Sequence, residues 1–358
     1  MPVGGYGCQG ARDSGPVILK ADIRAEADRL RAGFEARGAS VFEADILQPA
    51  GALLDLYGED IRARAFVTQD PLRGEMMLRP DFTVPLVQRH LATADAQRYT
   101  YSGEVFRRQE DDDTRPREYI QVGFEVFDGG LQADAEVFAA MANAVSGLPV
   151  QTTIGDFGAL TAAIEQLDTP ARRKRALKRH IWRPARFDAL LTRFSQHAPP
   201  PPSPPSAEMV HVGLRSREDI DDRIAVLADE AATAPIGQTD LERLRALRQI
   251  EEPAAEAVGT LKRLGEVASA EKLANTLDAI SQHGVDPTAL RFHASFGLTS
   301  LEYYSGFVFG FTAKGYAPVA TGGRYDLLTA ALNNGTVVPA VGGVLRPEVV
   351  LALQGGRL

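Results

Sequence analysis

Between Glu118 and Phe127 apolar and polar residues alternate, the pattern of a strand with two different faces. Ile120, Val122, Phe124 and Val126 fall on one face; Tyr119, Gln121, Gly123 and Glu125 fall on the other. Gln121 and Glu125 would stand about 13 Å apart along such a strand, at roughly 3.3 Å per residue. Gly123 between them removes a side chain, so a small molecule could lie against the sheet. The same alternation also fits a sheet edge turned to water, and the strand alone does not separate the two readings. Phe106-Arg107-Arg108 precedes it, and an arginine fork suits a carboxylate or phosphate, although a surface arginine has the same appearance. A later stretch, Glu302 to Phe311, would bury Phe307, Phe309 and Phe311 and turn Tyr304, Gly306 and Val308 to the opposite side. Thr321-Gly322-Gly323-Arg324-Tyr325-Asp326 reads as a tight glycine turn with Tyr325 just beyond it. Together these residues offer carboxylates for an ammonium and an imidazole, an arginine for a carboxylate, and tyrosines for a ring nitrogen.

Elements to position them are legible on either side. Ile23, Ala27, Leu30 and Phe34 share one helix face from Asp22 to Arg37, and Gly38 follows as a stop. Pro80 and Pro85 bracket a turn leading from Met76-Met77-Leu78-Arg79 into a helix over Val84 to Ala92. Strands at Tyr99 to Arg108 and Glu118 to Phe127 flank a charged loop and should pair antiparallel. From Asp156 to Gln282 the text is rich in Ala, Leu, Arg and Glu with helical spacing, broken by the proline tract at 199–205, which reads as a stiff exposed loop. Strand character returns at Leu290 to Leu298, Glu302 to Phe311 and Val337 to Leu345. The expected architecture is α+β, a mostly antiparallel sheet flanked by helices: a first core segment at 1–155, a helical insertion at 156–285 and a second core segment at 286–358.

Composition narrows the function classes. The 358 residues carry 39 Lys+Arg against 47 Asp+Glu, a net charge of −8, which disfavours broad contact with a phosphate backbone. The basic run Arg172 to His180 reads as a solvated helix face. One cysteine, Cys8, rules out an internal disulfide framework and fits a reducing compartment. His90, His180, His197, His211, His283 and His293 lack metal-ligand spacing, and Gly5 to Gly10 matches G-x-G-x-x-G with no strand to feed it. The acidic loop Glu110-Asp111-Asp112-Asp113 reads as solvated. No long apolar run or signal pattern is present, so the expectation is a cytoplasmic protein without metal, cofactor or membrane contact.

Taken in order, four motifs resemble the catalytic core of class II histidyl-tRNA synthetases: Leu78-Arg79-Pro80-Asp81-Phe82-Thr83; Phe106-Arg107 with Arg115 to Glu125; Leu301-Glu302-Tyr303-Tyr304-Ser305-Gly306; and Gly322-Gly323-Arg324-Tyr325-Asp326. The resemblance runs from about Asp22 to Leu353. It implies that Asp81, Thr83 and Gln121 hold the amino group of bound histidine, that Arg107 faces its carboxylate, and that Glu125, Tyr303, Tyr304 and Tyr325 contact the imidazole. Asp81 stands where the synthetases usually carry glutamate. Two departures are decisive: Thr299 occupies the position of the arginine before the Tyr-Tyr element, and Val349 that of the ATP-binding arginine in the third class II motif, which here reads Arg346-Pro347-Glu348-Val349. Pro347 redirects the helix start, so Arg346 does not substitute. Asp45 replaces the usual proline of the first motif, and the sequence has no room for an anticodon-binding domain.

With histidine contacts kept and activating arginines lost, the sequence is similar to regulatory subunits of ATP phosphoribosyltransferase. That resemblance implies no catalysis by the chain itself, free histidine as ligand, self-association as a dimer, and a short-form catalytic subunit as partner in a hetero-octamer. It also implies a role in the first step of histidine biosynthesis and its feedback inhibition, with no tRNA bound. An amino-acid-activating ligase, a degenerate histidyl-tRNA synthetase, or a histidine sensor for another partner such as a kinase remain the alternatives.

Overall fold

A computed structural model describes residues 17–51, 65–108, 116–202, 216–297 and 304–355. In chain order the strands are β1 (Ser40–Val41), β2 (Leu47–Pro49), β3 (Val67–Asp70), β4 (Gly74–Leu78), β5 (Arg98–Phe106), β6 (Glu118–Phe127), β7 (Gln151–Asp156), β8 (Glu251–Pro253), β9 (Arg291–His293), β10 (Phe307–Thr312), β11 (Ala320–Arg324) and β12 (Ala340–Leu345). The chain forms two compact units, one of Met1–Thr153, Asp278–Asp286 and Phe309–Leu358, the other of Ile154–Leu277 and Pro287–Val308.

The first unit is built on a sheet ordered β1-β5-β6-β12-β11-β10. β1 runs parallel to β5, whereas β5 with β6, β6 with β12 and β11 with β12 are antiparallel. This is the mixed, mostly antiparallel α+β sheet expected from the sequence. The helix Lys20–Glu35 buries Ala27, Leu30 and Phe34, and the Phe34 ring stacks 5.2 Å from Phe124, so it covers the apolar face of β6. Chain reversal follows through Gly38, whose φ of +84° suits glycine. Helix Leu131–Ala144 is apolar nearly all round; its Phe138 packs 5.4 Å from Phe309 and 5.5 Å from Phe311. Helix Thr83–Thr93 begins one residue ahead of the expected Val84. A small sheet, β2-β4-β3, buries Met76 and Met77 and leaves Ile46, Leu47, Val67 and Leu72 exposed.

The second unit holds helices Phe157–Glu165, Ala171–Arg179, Pro184–Phe194, Arg217–Ala232, Gln238–Arg248 and Ala254–Arg263, with β8 and β9 paired antiparallel. The basic helix here is not the solvated face its composition suggests. Arg173 is buried and donates to Glu230 at 2.8 Å and to the Ala234 carbonyl at 2.8 Å, and Arg172 also reaches Glu230.

Three strand boundaries differ from expectation. β9 spans three residues rather than Leu290 to Leu298, because the chain enters a turn that ends at Gly297, φ +80°. β10 starts at Phe307, so Tyr304 precedes the strand and does not share a strand face with Val308, which is itself buried. β12 starts at Ala340 rather than Val337, since the Val338 amide donates to the Thr329 hydroxyl at 3.1 Å instead of a strand neighbour. Among the described residues no helix is long and apolar enough to cross a membrane.

Candidate functional site

The polar face of β6 is buried, which removes the water-facing reading: Gln121 and Glu125 are each only 2% exposed. β6 lies between β5 and β12, and the register places Tyr101 opposite Gly123, Gly103 opposite Gln121 and Gly342 opposite Glu125. Both oxygens of Glu125 are engaged. The Tyr101 hydroxyl donates to Oε1 and the Tyr325 hydroxyl to Oε2, each at 2.9 Å.

Gly123 has a different job from the one its spacing suggests. The space above it is filled by the Tyr101 ring, which any side chain at 123 would overlap, so it makes room for a tyrosine rather than for a ligand. Tyr101 in turn stacks on Phe82 at 4.4 Å, and the Arg79 guanidinium lies 4.2 Å from the Phe82 ring. Arg79 is anchored through donation to the carbonyls of Glu104 and Ala44. This column fixes the tyrosine hydroxyl on the carboxylate. Gly342 closes the other side: a Cβ there would overlap the Glu125 carboxylate.

Burial pushes the Glu125 carboxyl up to about 8; the two tyrosine hydroxyls pull it down, and the Asp81 carboxylate adds to the upward push. Asp81 is buried at the entry to helix Thr83–Thr93 and accepts from the Thr83 amide at 3.2 Å; Thr83 is buried beside it. Gln121 Oε1 is buried and, among the described residues, has no hydrogen-bond partner. A buried acceptor without a donor costs about 1–3 kcal/mol, so a donor brought by a ligand would find it waiting.

Gly322, Gly323 and Arg324 end a strand rather than making a turn, Tyr325 caps the next helix and Asp326 begins it. Gly322 and Gly323 lie in β11 opposite Gly343 and Gly342, where bare backbones approach closely. Arg324 is nearly buried, pairing with Asp134 at 2.7 Å and Asp326 at 3.1 Å and donating to the carbonyls of Gly129 and Gly130. Asp326 also accepts from the Ala340 amide at 2.8 Å. This knot sets the backbone from which Tyr325 reaches Glu125.

Arg107 is half-buried and donates to the Pro80 carbonyl at 2.9 Å. Tyr304 is buried within the second unit, and Tyr303 and Thr299 lie outside the described residues. Val349 is buried on helix Pro347–Leu353; its neighbour Glu348 is pushed up to about 7 by burial, and Arg346 lies over the Tyr119 ring at 5.1 Å. Tyr101 and Gly342 were missing from the sequence-based site. Their signal is the β5–β6–β12 register, which sets a bulky tyrosine against a glycine and a glycine against a buried glutamate.

Comparison with known proteins gives this sheet a place. The histidyl-tRNA synthetase family model matches residues 11–201 and 203–350. A solved Bacillus halodurans structure, described as an ATP phosphoribosyltransferase regulatory subunit/histidyl-tRNA synthetase, shares the fold with a TM-score of 0.68 at 18% identity, over 99% of this chain and 85% of that one. The fold is thus the class II histidyl-tRNA synthetase-like core. A Sinorhizobium medicae (strain WSM419) protein named ATP phosphoribosyltransferase regulatory subunit is 30% identical, over 90% of this chain and 95% of its own length. A protein of the same name from Mesorhizobium japonicum is 32% identical, over 86% and 92%. The chain belongs to the histidyl-tRNA synthetase family and, within it, to the ATP phosphoribosyltransferase regulatory subunits.

Proposed function

We propose that this chain is a non-catalytic regulatory subunit of ATP phosphoribosyltransferase that binds free histidine and conveys feedback inhibition to a short-form catalytic subunit in the first step of histidine biosynthesis. The observation that carries the reading is the buried acceptor set: Glu125 held by two tyrosine hydroxyls, Asp81 buried nearby, and Gln121 Oε1 awaiting a donor. Buried acceptors of this kind suit an ammonium and an imidazole. In this reading Asp81, Thr83 and Gln121 take the amino group, Arg107 the carboxylate, and Glu125 and Tyr325 the ring; Tyr303 and Tyr304 join the ring contacts only by the family resemblance.

Thr299 and Val349 supply no positive charge where activation of a carboxylate by ATP would need it, and each lost electrostatic contact to a transition state costs on the order of a hundredfold in rate. The exposed Ile46, Leu47, Val67 and Leu72 support self-association through the small sheet, and the absence of a long apolar helix among the described residues suits a cytoplasmic complex. Two measurements test the proposal. Purified chain should bind histidine without histidine-dependent pyrophosphate exchange, and a short-form catalytic subunit should gain activity and histidine sensitivity on mixing. Robust exchange would make the chain a ligase, and a catalytic subunit fully active and histidine-sensitive alone would end the regulatory assignment.

A further inference from the structure

Among the described residues Glu125 is a carboxyl without a cation beside it. From β5 it meets the Tyr101 hydroxyl, from the residue ahead of helix Asp326–Leu332 the Tyr325 hydroxyl, from β12 only Gly342, and from the turn before helix Thr83–Thr93 a second carboxylate, Asp81. Arg324, next to Tyr325, spends its guanidinium on Asp134, Asp326 and two carbonyls. Ionising Glu125 therefore places a charge in a dry spot lined by neutral hydroxyls and bare backbone, with a second carboxyl adding to the cost.

Resting on the histidine-binding reading above, we infer that the empty site keeps a proton on Glu125 and that the bound complex holds one proton shared between this carboxyl and the ligand's imidazole ring, so that histidine binding is proton-linked. Atoms balance simply. A neutral ring accepts the carboxyl proton on a nitrogen lone pair, leaving carboxylate and imidazolium with nothing exchanged with water. A ring that arrives already protonated displaces the carboxyl proton to solvent. The carboxyl position near 8 agrees with this state at neutral pH. The device keeps affinity level near neutral pH, where a permanently charged carboxylate would lose affinity as pH rises, and it selects ligands whose ring can carry a proton.

The test is isothermal titration of L-histidine into the full chain in pairs of buffers that differ in ionisation enthalpy. With a ring pKa of about 6.5 and a carboxyl near 8, binding should release roughly 0.9 proton at pH 5.5, exchange close to none at pH 7.2 and take up roughly 0.5 at pH 8.0. A carboxyl ionised in the empty site would instead give close to none at pH 5.5 and an uptake of roughly 0.8 at pH 7.2, which overturns the inference while leaving the histidine site intact. E125Q, which still fills the space, should lose the uptake at pH 8.0; its persistence would assign the proton to another group and refute the role of Glu125. Absence of saturable binding at every pH would remove the histidine site itself, and the inference with it.

Discussion

Replacing Glu125 by glutamine separates the burden of a buried charge from the shape of the side chain. Glutamine copies the protonated carboxyl, keeps an acceptor for one tyrosine hydroxyl and cannot ionise. In the parent chain the folded-state carboxyl sits near 8 against an ordinary 4.5, so between those values the folded state holds a proton that the unfolded state has lost. Stability then falls as pH rises, by about 1.4 kcal/mol per unit, or roughly 4 kcal/mol from pH 5 to pH 8. The favourable contribution is complete below pH 4.5 and is lost as pH climbs through 8. Titrating groups not coupled to Glu125 are common to parent and variant and cancel in their difference. Chemical denaturation followed by circular dichroism at pH 5, 7 and 8.5, without ligand, should show E125Q close to the parent at pH 5 and more stable by several kcal/mol at pH 8.5. Circular dichroism is the suitable signal, because the single tryptophan, Trp182, belongs to the other unit. A variant-minus-parent difference that stays flat across this range would refute the argument that Glu125 is neutral in the empty fold.

Other residues give sharper local tests. Gln121→Leu removes an orphaned acceptor and should stabilise the empty chain by about 1 kcal/mol while weakening histidine binding at least tenfold, seen by thermal denaturation and calorimetry together. Asp134→Ala removes the 2.7 Å ion-pair partner of buried Arg324 and should cost about 3 kcal/mol, measured by denaturation midpoint at neutral pH. Gly342→Ala drives a methyl into the Glu125 carboxylate; a loss of about 3 kcal/mol and of histidine binding is expected, and E125A in the same chain should recover part of the stability but none of the binding.

Much of the frame was open to sequence reasoning because it depends on local pattern. β6 runs from Glu118 to Phe127 where the alternation placed it, and the helix face of Ala27, Leu30 and Phe34 is buried as its spacing required. What local pattern could not supply was register. Gly123 looked like room for a ligand because its neighbour across the sheet was unknown; only the pairing of β5 with β6 reveals that Tyr101 fills that room. Gly322 and Gly323 looked like a turn because a glycine pair usually makes one, but a second pair, Gly342 and Gly343, lies opposite and lets two strands close together. Arg173 looked solvated because Glu230, its partner, is 57 residues away in the chain.

The parts that hold Glu125 bear on the proposal that this chain binds histidine without activating it. Its supports are the Arg79–Phe82–Tyr101 column, the Arg324–Asp134 pair that sets Tyr325, and the bare backbone of Gly342, all within the first unit. None of these contacts involves Val349, which is packed as an apolar core residue on helix Pro347–Leu353. An arginine at that position would have been a charge needing its own partners; valine needs only neighbours. Helix Pro347–Leu353 packs on β6, but an exchange at 349 removes none of the named supports of Glu125, so on the proposed reading binding and activation are separable properties of one sheet. A chain proposed to sense histidine without consuming it needs this separation.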